Sequence, residues 1–268
     1  MTAPKALVLT GFGLNCDGET AYALEVAGAD VERIHLNSLI KGERRLRDFQ
    51  ILVIGGGFSW GDDHGGGVIM AMRTKHRMSE DLLDFVERGG LVLGICNGFQ
   101  VLVNLGLLPF FNPPELRREV ALIHNDCGTF RDQWVNLSIN AQSPCIFTRG
   151  LDTLELPVRH GEGKFHAAPA VIQRLIERNQ VIMRYATPEG QLACGSFPDN
   201  PNGSVEDIAG ICDPTGRIAG LMPHPEAYNH FTNHPDWTCL KERYRRKGTP
   251  FPQEGMGIRL FRNALHSL

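Results

Sequence analysis

Three short apolar runs, "ALVL" at 6–9, "ILVI" at 51–54 and "LVLGI" at 91–95, each lead into a glycine-bearing turn. No other feature constrains the fold as strongly. A strand with one face in water alternates apolar and polar residues, so an unbroken apolar run predicts a strand covered on both faces. Segments of helical spacing lie between these runs. One is predicted from Asp17, as its cap, to about Ala27, with a stop at Gly28. Another is predicted to start at Ser79, with Leu82, Leu83 and Val86 on one face and Gly89 at its end. "ADVERIHL" adds a further strand. Strand and helix in alternation predict an α/β chain with a central, mostly parallel sheet and helices on both faces. In such sheets, ligands bind beyond the carboxyl ends of the strands, where "GFGLN", "GGGFS" and "GICNG" fall.

From about Phe110 the pattern changes. "VALIHNDCGTFRDQWVNLSIN" and "LDTLELPVRHGEGKF" read as shorter, partly alternating strands, which predicts a smaller antiparallel extension of the sheet. "NQVIMRYA" and "RIAGLMPHPEA" are further strand candidates, and "GMGIRLFRNALHSL" predicts a closing amphipathic helix. Without repeats, low-complexity tracts or a linker, residues 1–268 read as a single domain.

Composition narrows the function classes. The 27 basic and 30 acidic side chains give a formal charge of -3, and neither half is strongly basic, which argues against nucleic acid as the main partner. No apolar run approaches the roughly 18 residues of a membrane span, and "MTAPKALVLTGFG" lacks a signal peptide's apolar segment. Seven cysteines, scattered and without a CxxC pair, read as reduced thiols in a cytoplasm.

Within "GICNG", Cys96 occupies the nucleophile position of a strand-to-helix elbow. The backbone there is strained, and side chains two residues away on either side would collide, so Gly94 and Gly98 are required. The N-terminal end of a following helix favours thiolate, the reactive form. A buried cysteine in a glycine-bearing turn is the alternative. In "GLMPHPEA", the prolines at 223 and 225 favour an extended chain, which puts His224 and Glu226 on one side. Glu226 then orients and charges an imidazole that serves as base, the logic of a catalytic triad. A loop histidine beside a surface glutamate is the rival reading. The backbone N–H groups of Gly57 and Asn97 form a candidate donor pair for an oxyanion.

Together, "GICNGFQ", "GLMPHPE" and "GGGFS" resemble the class I, or triad, glutamine amidotransferases. Within that class the chain is similar to the glutaminase subunits of phosphoribosylformylglycinamidine synthases. "GLNCDGET", "GGGFSWGD", "RHGEGKF" and "NPNGSVEDIAGICDPTGRIAG" support this, occurring in order over a core of about 5–226, with an extension over about 227–268. The resemblance implies the class I amidotransferase fold. It implies that Cys96 is the nucleophile, His224 the base and acid, and Glu226 the orienter, with Gly57 and Asn97 at the oxyanion positions. It further implies that Gln100, His160, Gly161 and Glu162 hold the substrate, L-glutamine. Two departures fall in the loop before the elbow: Gly55 stands where the family commonly has proline, and "GDDHGGGVIM" differs from the usual continuation.

The resulting expectation is hydrolysis of glutamine's amide, with ammonia delivered to a partner. Nothing in this chain looks able to bind ATP, so no cofactor is expected here. ATP and magnesium are expected on a synthetase subunit, and the resemblance allows a small accessory subunit. Other readings stay open at this point: an amidotransferase or cysteine amidase with another acceptor, or a silent regulatory binding subunit. His230 and His234, four apart, could share a helix face as metal ligands, but no set completes a site, so no metal is expected. "KERYRRK" reads as a solvated or partner-facing charge run.

Overall fold

The computed structural model describes residues 3–268. The first half runs β1 (Lys5–Thr10), α1 (Asp17–Ala27), β2 (Asp30–His35), α2 (Leu36–Ile40), β3 (Ile51–Ile54), α3 (Val68–Glu87), β4 (Leu91–Ile95) and α4 (Asn97–Leu105). Then come β5 (Val120–Ile123), β6 (Arg131–Ile139), β7 (Thr153–His160), β8 (Lys164–Ala167), α5 (Pro169–Glu177) and β9 (Val181–Ala186). The chain closes with β10 (Ile208–Cys212), β11 (Ile218–Leu221), α6 (Trp237–Arg246) and α7 (Ile258–His266).

One nine-stranded sheet, ordered β2-β1-β3-β4-β11-β10-β9-β6-β7, organises the molecule. Its first five strands are parallel and the remaining four antiparallel. The expected extension is therefore nearly half of the sheet, and β5 with β8 forms a separate ribbon. Every residue of β3, β4 and β11 is buried, whichever way its side chain points, as a sheet covered on both faces requires.

Helix α4 sits on the row formed by Ile54, Gly94 and Gly220, which pair across three adjacent strands. Phe99 of α4 lies directly on Gly220, where a β-carbon would strike the ring. Full burial of such a side chain contributes roughly 1.5–3 kcal/mol. The two glycines thus let the helix descend onto the sheet where β4 ends.

Helix α3 begins at Val68 after Gly67, so Ser79 lies inside it rather than at its cap. The stripe Met70, Thr74, Met78, Leu82 and Phe85 is buried and runs through Ser79 without a break. Helix α1 starts at Asp17 as expected, but Cys16 is its N-cap and makes no side-chain cap. Gly28, at φ 110, ends it as predicted. The closing helix α7 buries Ile258, Leu260, Phe261 and Ala264 and packs on α1, so the C-terminal extension folds back onto the core. Among the described residues no helix is long and apolar enough to cross a membrane.

Strands β1, β3, β4 and β11 all end on one edge of the sheet. The turns that follow carry Gly11–Leu14, Gly55–Asp62, Cys96 and His224.

Candidate active site

Cys96 links β4 to α4 with φ 51 and ψ -105. Such a backbone costs a residue with a side chain about 1–3 kcal/mol, and surrounding packing must impose it. The flanking glycines show how. A β-carbon on Gly94 would lie 2.6 Å from Leu102 Cδ1 and 2.7 Å from the carbonyl carbon of Gly98, and one on Gly98 would enter the carbonyl oxygen of Ile54. The Cys96 N–H donates to the Leu221 carbonyl at 2.8 Å, which ties the elbow to β11. Its sulfur lies 3.6 Å from the carbonyl oxygen of Arg159 on β7, and the residue is 5% exposed.

The chain leaves β11 through Pro223, and the His224 N–H donates to the Pro157 carbonyl of β7 at 2.8 Å. Glu226 lies in the turn Pro225–Ala227, and its Oε1 stands 2.6 Å from His224 Nδ1. Both side chains are buried, 2% and 1% exposed. Burial alone would lower the imidazole's pKa. The Glu226 charge, then the Cys96 and Cys16 sulfurs, reverse this and raise it well above its ordinary value. His224 Nε2 and Glu226 Oε2 are buried without a hydrogen-bond partner among the described residues. Gly56 lies close against the ring: a β-carbon there would sit 2.7 Å from His224 Cε1.

The glycine loop is fixed from two sides. Phe58 N–H donates to the Gly13 carbonyl at 2.9 Å and Asn15 N–H to the Gly56 carbonyl at 3.2 Å, leaving Gly57 between them at φ 143 with its own N–H uncommitted among the described residues. The Asn97 N–H, first in α4, is likewise unpaired among the described residues. The Asn97 side chain joins elbow to loop, accepting from Ser59 N–H at 3.2 Å and donating to Asp62 Oδ1 at 2.9 Å and Gln100 Oε1 at 2.8 Å. Gly55 has ordinary space around its β-position, the nearest atom being Thr20 Oγ1 at 3.5 Å. The close contacts that set the loop's shape fall at Gly56 and Gly57.

Gln100 and the loop after β7 meet directly. Gln100 Nε2 donates to the Glu162 carbonyl at 2.6 Å, and Gly66 N–H donates to the Glu162 carboxylate at 2.9 Å. Burial, then the Glu162 charge, raise the Asp62 pKa to about 6 against the Asn97 hydrogen bond. Gly161 is open at its β-position. His160 turns inward: Nδ1 lies 3.1 Å from Asn125 Oδ1, and Nε2 lies 3.5 Å from Asn202 Nδ2. Burial, with the His224 charge, lowers its pKa to about 3.

The family model of the CobB/CobQ-like glutamine amidotransferase domain matches residues 3–266. The chain belongs to the glutamine amidotransferases. It is 41% identical over 263 residues to phosphoribosylformylglycinamidine synthase subunit PurQ of Methanococcus maripaludis, covering 98% of this chain and 96% of that one. To the PurQ of Dehalococcoides mccartyi it is 42% identical over 267 residues, covering 99% and 98%. Among solved structures, PurLQS from Thermotoga maritima contains a chain with TM-score 0.72 and 27% identity, each chain covered to 99%.

Several residues of this amidotransferase escaped the sequence reading. Asn125 and Asn202 hold His160, and Asn202 also reaches the Tyr185 hydroxyl at 3.2 Å. Asp62 joins the elbow network, and Cys16 lies against the His224 ring. "GLNCDGET" and "NPNGS" carried the only signal for Cys16 and Asn202, and nothing in their spacing singles out one side chain. His230 and His234 do not share a helix. His230 caps the turn Phe231–Asn233, bonding Thr232, whereas His234 packs against Trp134 and lies 3.0 Å from Glu155. The four-residue spacing spans the short turn Phe231–Asn233, which ends before α6, so the two do not stand on one helix face. The run "KERYRRK" lies on α6 and just beyond it; that helix buries no side chain, and Glu242 pairs with Arg245 and Arg246.

Proposed function

We propose that this chain hydrolyses L-glutamine through Cys96, His224 and Glu226 and supplies ammonia to a synthetase subunit making phosphoribosylformylglycinamidine for purine biosynthesis. The observation that carries the chemistry is the buried 2.6 Å pair of His224 and Glu226, anchored to the same strands as the strained Cys96 elbow. The names of the PurQ relatives support the acceptor.

The Cys96 thiolate attacks the carboxamide carbon, and the oxygen takes up negative charge facing the N–H groups of Gly57 and Asn97. One such donor contributes about 3–4 kcal/mol to transition-state stabilisation. The raised pKa of His224 supplies an imidazolium, which protonates the departing ammonia and leaves a glutamyl thioester. His224, now neutral, takes a proton from water, whose hydroxide releases glutamate and restores the thiolate. Glu226 holds the ring and its charge throughout. Gln100, Gly161 and Glu162 bind the amino-acid end of glutamine, and His160 shapes that loop from beneath.

Free ammonia would become ammonium in bulk water, so a partner must cover the mouth. Phe12, Phe58, Phe130 and Phe197 are exposed, with the Phe58 and Phe130 rings 6.2 Å apart, and offer apolar surface for that docking. ATP and magnesium belong to the synthetase, and a small accessory subunit can complete the assembly. Residues 1–268 act as one amidotransferase domain in the cytoplasm, consistent with its unpaired cysteines.

The test is glutamine hydrolysis in the assembled complex, wild type against Cys96→Ala. The variant should lose at least a thousandfold in kcat, in line with other nucleophile deletions. Full turnover in the variant would end the proposal.

A further inference from the structure

The proposed triad uses one oxygen of Glu226 and leaves two groups beside it that take no part in its bond-making or proton transfers. Glu226 Oε2 is buried with no partner among the described residues, although a carboxylate oxygen stripped of water is costly unless something binds it. Cys16, on the turn between β1 and α1, presses its sulfur into the same corner. A β-carbon on Gly56 would lie 3.1 Å from that sulfur and 3.3 Å from His224 Nδ1. One donor atom each from Cys16, His224 and Glu226 lies within 4.8 Å of the other two.

We propose that Cys16, His224 and Glu226 form an inhibitory binding site for a thiophilic divalent cation, zinc by preference. The donor set is one sulfur, one imidazole nitrogen and one carboxylate oxygen, which suits zinc and rejects magnesium and calcium. Tetrahedral zinc places such donors roughly 3.5 Å apart, given bonds of about 2.0–2.3 Å. The Cys16 sulfur closes in by about an ångström, and the His224–Glu226 pair opens to admit the ion. Binding releases two protons to solvent, one from the Cys16 thiol and one shared between His224 and Glu226. A water or the Cys96 thiolate takes the fourth position. The metal then occupies the base that glutamine hydrolysis requires, and a chelator restores it.

The binding arm of the test stands apart from the catalytic proposal; only the inhibition arm rests on it. Metal-free, reduced full-length protein is titrated with cobalt(II) as a spectroscopic stand-in for zinc. Wild type should bind one equivalent with a thiolate-to-cobalt charge-transfer band. Cys96→Ala should keep that band, and Cys16→Ser should lose it along with about tenfold or more in affinity. In the assembled complex, zinc should inhibit glutamine hydrolysis, with Cys16→Ser about tenfold less sensitive relative to its own metal-free rate. Should Cys16→Ser fail to fold, alkylation of wild-type Cys16, read by peptide mass spectrometry, should be slowed at least tenfold by zinc. The proposal is overturned by a band that survives Cys16→Ser, a band lost only in Cys96→Ala, no stoichiometric binding, or alkylation indifferent to zinc. If Cys96→Ala keeps full turnover while the cobalt results hold, the catalytic assignment fails and the metal site stands.

Discussion

Asn125 Oδ1 lies 3.1 Å from His160 Nδ1 and also accepts the Gly163 N–H at 3.1 Å. The Asn125 amide nitrogen is engaged by the carbonyls of Thr129 and His160, so its orientation is fixed. Nδ1 of His160 must therefore carry the proton, and Nε2 faces the Asn202 amide as acceptor. The ring is neutral and held in one tautomer, with its pKa lowered to about 3.

This has a measurable pH consequence. The unfolded chain takes up a proton at His160 near its ordinary 6.5, which the folded chain refuses until about pH 3, so stability falls as pH drops across that interval. Nitrogen chemical shifts of labelled histidine should show a protonated Nδ1 and an unprotonated Nε2, unchanged from neutrality to pH 5. Titration of this ring near pH 6.5 would contradict the assignment.

At Gly56, substitution by alanine places a methyl group 2.7 Å from His224 Cε1. The ring must move, and a displacement of about 1 Å at a reacting group costs on the order of a hundredfold in rate. We expect kcat for glutamine hydrolysis to fall by roughly that factor, with KM changed far less. Unaltered kcat in a folded variant would show that the ring has slack.

Gly220→Ala should act on stability first. Its methyl group enters the Phe99 ring between β11 and α4, and overpacking of a dense core costs about 1–3 kcal/mol. Because α4 begins at the elbow, the shift also reaches Cys96. A lowered midpoint in urea unfolding, with loss of activity under native conditions, is the expected pair of results.

The carboxyl of Asp62 titrates near 6 in the folded protein, above its ordinary 3.8. The folded state holds this proton more tightly than the unfolded state, so the group disfavours folding increasingly as pH rises from about 4 through 6. Asp62→Asn keeps an oxygen for Asn97 and removes the charge facing Glu162. The variant's Tm relative to wild type should be higher at pH 7 than at pH 4. A difference independent of pH would refute the raised pKa.

The sequence revealed β3, β4 and the turn after them because close packing along those strands leaves only glycine or an aliphatic residue at each position. "LVLGICNG" is nearly a transcript of its contacts. The early start of α3 was hidden because Ser79 imitates a cap while the buried stripe passes through it. Cys16 and Asn202 were illegible as individuals, since their importance comes from what another part of the chain brings beside them. His230 and His234 failed for the opposite reason: regular spacing implies a helix face only where a helix exists.

Strand β11 lies between β4 and β10 at the middle of the sheet, yet it is the last strand made. A chain released from the ribosome only as far as Cys212 possesses the elbow but neither the strand that anchors it nor His224. On the proposed assignment the thiol is therefore armed late, when the central gap is filled and His224 has followed, with only α6 and α7 still to be made.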